Sequence, residues 1–146
     1  MWNGSGNAPP RTWGIALLAG ALALFLLGLG RTDLWAPDEP RYAHVAAELF
    51  AMERGAQDLV LLRVNGEPYD QKPPLYFWLA ALASVPGGRV SEWSARLPSA
   101  LAGLATLALT FALGRRLFDA RVAAWGTAFL ATVFDFAFLA RRARLD

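Results

Sequence analysis

The sequence predicts an all-α fold: polytopic membrane helices with juxtamembrane amphipathic helices in a large first outer loop. Three observations predict it. First, apolar runs of 18 residues (Trp13–Gly30 and Leu97–Gly114) and one of 19 residues (Val122–Ala140) recur along a chain of 146 residues. A helix needs about 20 such residues to cross a bilayer. Second, charged residues are only 18% of the chain and gather between those runs. Third, the segment between the first two long runs has helical periodicity of its own and is not a simple linker. Composition narrows the chemistry further. There are no cysteines, which excludes disulfides and a thiol nucleophile, and a single histidine, His44, which excludes a multi-histidine metal centre. Net charge is +2, carried by thirteen arginines and one lysine, Lys72, against 12 acids. No basic surface interleaved with aromatics points to nucleic acid.

Taken in order, residues 1–12 read as a cytoplasmic tail and residues 13–30 as the first span. A signal peptide is the competing reading. It fits poorly, because the run is long for such a segment and no small-residue cleavage site precedes Arg31 and Asp33. In the outer loop, residues 31–96, Tyr42, Val45, Ala46 and Leu49 form a helical stripe, with Arg41, His44 and Glu48 opposite. The spacing predicts an amphipathic helix over about 40–54, with Pro40 in its first turn and Gly55 as its stop. LVLLRV and Asn65-Gly66 predict a tight two-residue turn, and Pro68 weakens the second strand. The 13 residues Pro73–Val85 are short for a span, so an interfacial helix over 73–85 is expected, with Tyr76 and Trp78 at headgroup level. Spans over 97–114 and 122–140 follow, the last holding Asp135.

Two topologies compete. With Pro73–Val85 in the interface, the N-terminus and Arg115, Arg116 and Arg121 lie inside. Four basic residues are then inside and ten outside, against six and eight if Pro73–Val85 spans. Loops longer than about 60 residues weigh little in orientation, and residues 31–96 exceed that. Span length therefore favours the interfacial arrangement.

Several residues could carry chemistry. Asp38 and Glu39 follow the first span, either capping a helix N-terminus or offering a general base at the membrane–water boundary. Arg41 lies one turn on, able to pair with Asp38, bind a phosphate or face solvent. His44 reads as a polar-face residue, with a phosphate or metal contact as the alternative. Lys72 precedes two prolines that enter apolar material, which presents its ammonium at the depth of lipid phosphates; simple snorkelling is the plain alternative. Asp135 in an apolar span is costly and needs a cavity, a partner, a proton or a route to the interface. Arg141, Arg142 and Arg144 form either a stop-transfer cluster or an anion site with Asp146 beside it. The chain stopping at Asp146 is expected to reflect truncation of a longer protein.

Five stretches occurring in order resemble the N-terminal part of membrane glycosyltransferases of the C-type fold. They are WAPDEPRYAHVAAEL, NGEPYDQKPPLYFWLAAL, ARLPSALAGL, GRRLF and ARRARLD. They cover about Leu34 to Asp146 and are most similar to bacterial family-39-type enzymes, which include aminoarabinose lipid A transferases and protein O-mannosyltransferases. The resemblance implies a donor sugar on a polyprenyl-phosphate carrier and a lipid, glycan or protein acceptor. It also implies a multi-pass location in the bacterial inner membrane, with the site facing outside. Asp38 would be the catalytic base and Asp146 the second acid, orienting the acceptor. Lys72 would contact the carrier phosphate and Arg41 would support Asp38 or that phosphate, with Glu39, Arg141 and Arg144 also in the substrate-binding set. No cofactor is required, and a divalent metal is possible. The fragment by itself is expected to be inactive. The alternative is a non-enzymatic membrane protein, a transport subunit or scaffold, which leaves the ordered motifs unexplained.

Overall fold

The structure is a computed structural model that describes residues 11–144, with side chains from residue 16 onward. It is mostly helical. Helix α1 covers Arg11–Leu26 and α2 Asp38–Ala51. A two-stranded antiparallel hairpin follows, β1 (Arg63–Val64) with β2 (Glu67–Pro68). Then come α3 (Leu75–Ser84), α4 (Glu92–Leu117), α5 (Ala120–Thr132) and α6 (Phe134–Ala140).

Local chemistry explains most of the boundaries. α1 stops four residues short of the apolar run's end, and Gly28 sits at φ 71° in the turn that follows. α2 begins at Asp38, so the two acids occupy its first turn and no side chain caps it. It ends at Ala51 because Met52 takes the left-handed conformation at φ 45°. Gly55, the expected stop, instead opens a short 3-10 segment, Gly55–Leu59. Asn65 and Gly66 both have positive φ, 55° and 79°. That is the geometry a two-residue hairpin turn requires, and it pairs Val64 with Glu67. Pro68 is tolerated opposite Arg63, and the pairing closes one residue further on, where the Tyr69 N–H donates to the Leu62 carbonyl at 2.8 Å.

α4 is longer than its apolar run. Ser91 caps it, and the Ser91 and Ser94 side chains satisfy each other's backbone N–H groups in a capping box. Among the described residues it is the one unbroken helix long and apolar enough to cross a membrane. The stretch expected to span over 122–140 is not one straight helix: α5 and α6 together are apolar and long enough to cross, but they are bent by 69° at Val133, which is extended. Val133, at φ −61° and ψ 122°, both ends α5 and precedes α6, so the turn is made at this one residue. α3 rises only about 15 Å over its ten residues, half the hydrocarbon thickness. It buries Tyr76, Phe77, Ala80 and Ser84 and exposes Leu75, Trp78, Leu79 and Leu82.

Two cores result. One lies within residues 31–96, where Tyr42, Val45, Leu49, Tyr69, Tyr76 and Phe77 pack together and the four aromatic rings meet edge to face at 5.3–6.2 Å. The other lies between α1, α4 and α6, where Phe25 and Leu29 meet Ala100, Leu107 and Ala140. Gly103 allows that contact: a Cβ there would sit 2.8 Å from the Ala140 Cβ. Ala143 belongs to the first core and Ala140 to the second, so the short segment after α6 links them.

Candidate active site

The site begins with two adjacent acids that face opposite ways. A helix turns about 100° per residue, so neighbours at the first turn of α2 cannot share a face. Glu39 turns inward and is 2% exposed. Its Oε2 accepts from the Trp35 N–H (2.7 Å) and from Arg96 Nη2 (2.9 Å) and Arg142 Nη1 (3.2 Å). Its Oε1 accepts from Arg96 Nε (3.0 Å) and the Ala143 N–H (2.6 Å). Burial pushes this carboxyl up, but Arg96 and the two backbone N–H groups outweigh it and hold the pKa down at about 2. Every acceptor direction is occupied by protein, so Glu39 has no lone pair left for a substrate. Asp38 stays half-buried at the surface and pairs with Arg41 one turn on, whose guanidinium also lies over the Tyr42 ring at 5.6 Å.

The remaining sequence-predicted residues divide clearly. Lys72 is half-buried and immediately precedes Pro73 and Pro74 at the start of α3. Burial, followed by the neighbouring Tyr42, keeps the Tyr69 phenol above its ordinary range. Arg41 and Lys72 lower, and Asp38 raises, the pKa of the Tyr69 phenol through their charges. Its hydroxyl is buried without a hydrogen-bond partner among the described residues. Arg141 points elsewhere: it donates to the Leu24 carbonyl and to the Leu27 carbonyl (2.9 Å), covering the otherwise open end of α1. Arg142 reaches Glu39 and stacks over Trp35 (5.0 Å) and Phe138 (4.7 Å). Arg144 is exposed at the rim of an apolar groove of about 450 Å³ between α3, α4 and α6. Pro73, Tyr76, Ser99, Gly103 and Phe136 line the groove. Asp146 lies outside the described residues.

His44 pairs with Glu48 at 3.0 Å, and Glu48 in turn receives the backbone N–H groups of the hairpin turn, so both serve the outer-loop fold. Asp135 is exposed in the first turn of α6, where a negative charge suits the helix dipole. Among the described residues no three His, Asp or Glu side chains converge to hold a metal ion.

Sequence reasoning passed over Arg96 and Tyr69. Arg96 is 2% exposed and donates to Glu39, to the Leu29 and Thr32 carbonyls (both 2.8 Å) and to the Asp33 carbonyl (2.9 Å). A signal existed: an arginine leading into an apolar helix must be paired or reach water. What no local pattern reveals is that its partner lies 57 residues earlier.

The arrangement leaves one carboxylate, Asp38, at the surface beside Arg41, and an apolar groove that begins at Pro73, next to Lys72 in the chain. Carboxylate, cation and groove are the parts that proton abstraction and the binding of a lipid-linked anion call for.

The family model described as dolichyl-phosphate-mannose-protein mannosyltransferase matches residues 71–146, just over half of the chain. The undecaprenyl phosphate-alpha-4-amino-4-deoxy-L-arabinose arabinosyl transferase of Pseudomonas savastanoi pv. phaseolicola is 30% identical over 123 residues, 84% of this chain. The enzyme of that name from Shewanella sediminis is 36% identical over 106 residues, 73% of this chain. The chain spans only 22% and 18% of those relatives' lengths. The crystal structure of ArnT from Cupriavidus metallidurans bound to undecaprenyl phosphate superimposes with a TM-score of 0.81 at 32% identity. That match covers 92% of this chain and 24% of the other. The apo form gives 0.78 at 31% identity over 91% of this chain.

Proposed function

The chain belongs to the dolichyl-phosphate-mannose-protein mannosyltransferase family, and from that premise we propose that it supplies the leading membrane helices and first outer loop of a polyprenyl-phosphate-dependent glycosyltransferase. The acceptor is a lipid, glycan or protein, and the reaction takes place at the outer face of the bacterial inner membrane. The observation that carries this reading is the split between the two acids. Glu39 is fully engaged inside the protein, while Asp38 remains at the surface, paired with Arg41.

In this reading Asp38 takes the proton from the acceptor hydroxyl as its oxygen attacks the anomeric carbon of the donor. The bond from that carbon to the phosphate oxygen breaks, and the phosphate leaves with the electron pair. Lys72 and Arg41 bear the phosphate charge, with Arg144 at the groove rim, and the groove receives the start of the prenyl chain. Asp146 orients the acceptor. Arg141 is given no substrate role, because its guanidinium is held by the carbonyls at the end of α1. A phosphate is already a competent leaving group, so one base and these cations suffice in outline, without a nucleotide loop.

The test uses the full natural protein in membranes, with undecaprenyl-phosphate-linked aminoarabinose and lipid A, and separately polyprenyl-phosphate mannose and peptide. Asp38→Asn is expected to lower transfer by about 100-fold or more, the scale of a lost general base, while membrane insertion is unchanged. Near-normal turnover in that variant removes Asp38 as the base. Transfer with neither donor removes the glycosyltransferase reading and favours a non-enzymatic membrane protein.

A further inference from the structure

The Arg96–Glu39 pair is built in a way that core stability alone does not require. Arg96 receives Glu39 on two of its nitrogens and gathers the carbonyls of Leu29, Thr32 and Asp33, with Thr32 Oγ1 at 3.2 Å as well. Glu39 adds the Trp35 and Ala143 N–H groups and Arg142. Four chain segments therefore meet at one ion pair: the turn after α1, the start of α2, the start of α4, and the segment after α6. Both side chains are nearly inaccessible, 2–3% exposed, so neither touches a substrate. A well-packed apolar pair would stabilise such a junction at least as well, because desolvating two charges offsets much of their attraction. Only a planar, five-donor fork facing a carboxylate fixes the orientation of several chain groups at once.

The consequence falls on the neighbouring residues. Asp38 is bonded directly to Glu39, and Arg144 follows Ala143, whose N–H Glu39 holds. The pair thus stands between the segment bearing the base and the segment bearing Arg144 and leading to Asp146.

We propose that Arg96 is a positioning residue for glycosyl transfer: through Glu39 it locks the Asp38 turn to the 141–144 segment, so that both sides of the site keep one separation. This rests on the reading of Asp38 as the base. It adds that the spacing of the site is set from the interior, by a residue 57 positions along the chain from the acid it holds.

The test uses the full natural protein in membranes. This segment has no cysteine, so spin labels at Ala36→Cys and Leu139→Cys, both exposed positions, would report the separation of the two segments here. Arg96→Lys keeps the charge but loses the fork. Glu39→Asp keeps the charge and shortens the reach by one methylene, giving a milder variant should the first not fold. For both, kcat with undecaprenyl-phosphate-linked aminoarabinose is expected to fall about 10-fold or more while the donor KM stays within about 3-fold, the pattern of lost transition-state geometry. The inter-label distance distribution is expected to broaden in parallel. A fall in kcat with an unchanged distribution overturns the proposal, as does a broadened distribution with wild-type kcat. If the wild-type protein transfers no sugar, the function reading fails and the positioning role falls with it. The distance distributions alone then still decide whether the pair ties the two segments.

Discussion

Acid should loosen this protein through one identifiable group. Glu39 has its carboxyl pKa lowered from 4.5 to about 2 in the folded chain. The sign follows from the direction of the shift. A depressed carboxyl contributes stability that is complete above its unfolded value of 4.5 and is lost as the pH falls toward 2. The shift corresponds to about 3 kcal/mol at pH 7, of which about 2 kcal/mol is gone by pH 3. Glu39 is 2% exposed, so solvent screening takes little from that figure. The assay is reversible urea unfolding of the chain in non-ionic micelles from pH 7 to pH 3, run beside Glu39→Gln. The variant is expected to start less stable at pH 7, because Arg96 keeps its charge without a full counter-ion. It is then expected to lose about 2 kcal/mol less than wild type on acidification. Parallel curves for the two proteins would refute the reasoning, since they would mean that Glu39 is not ionised against Arg96 in the fold.

Two other outcomes follow from the geometry. Gly103→Ala places a Cβ 2.8 Å from the Ala140 Cβ and 3.6 Å from Phe25 Cε1, where carbons prefer about 3.5–4.0 Å. Overpacking of about 1–3 kcal/mol should exceed the gain of about 1 kcal/mol in helix propensity. The unfolding midpoint is therefore expected to fall, and Ala140→Gly added to it should restore it; a raised midpoint in the single variant would count against the close approach. Lys72→Ala is expected to weaken binding of undecaprenyl phosphate to the full natural protein about 10-fold or more, the scale of a charged hydrogen bond. Equilibrium binding to the purified protein measures it, and unchanged affinity would assign Lys72 a structural role.

Periodicity and turn chemistry settled much of this protein in advance. The stripe Tyr42, Val45, Ala46 and Leu49 announces α2 and its buried face, and Asn65-Gly66 announces a hairpin turn with two positive φ values. The apolar run from Leu97 announces the one unbroken helix among the described residues that is long and apolar enough to cross a bilayer. These features are local: each depends on residues a few positions apart, which is the range over which side-chain spacing carries information. Asp38, Arg41 and Lys72 were also legible as candidates, because a charge placed against apolar runs needs a reason.

Tertiary structure alone decided how those candidates divide. Nothing in the sequence says which of two adjacent acids faces inward. That choice follows from Arg96, which lies 57 residues away and supplies the fork that a buried carboxylate requires. Nothing local says that Arg141 is used up by the end of α1, a contact across 114 residues. The bend at Val133 is likewise invisible to hydropathy, which reads 122–140 as continuous. The sequence determines which segments become helices because that is settled within a few turns. The fold determines which charges remain for chemistry, because a buried charge must be paired and its partner can come from anywhere in the chain.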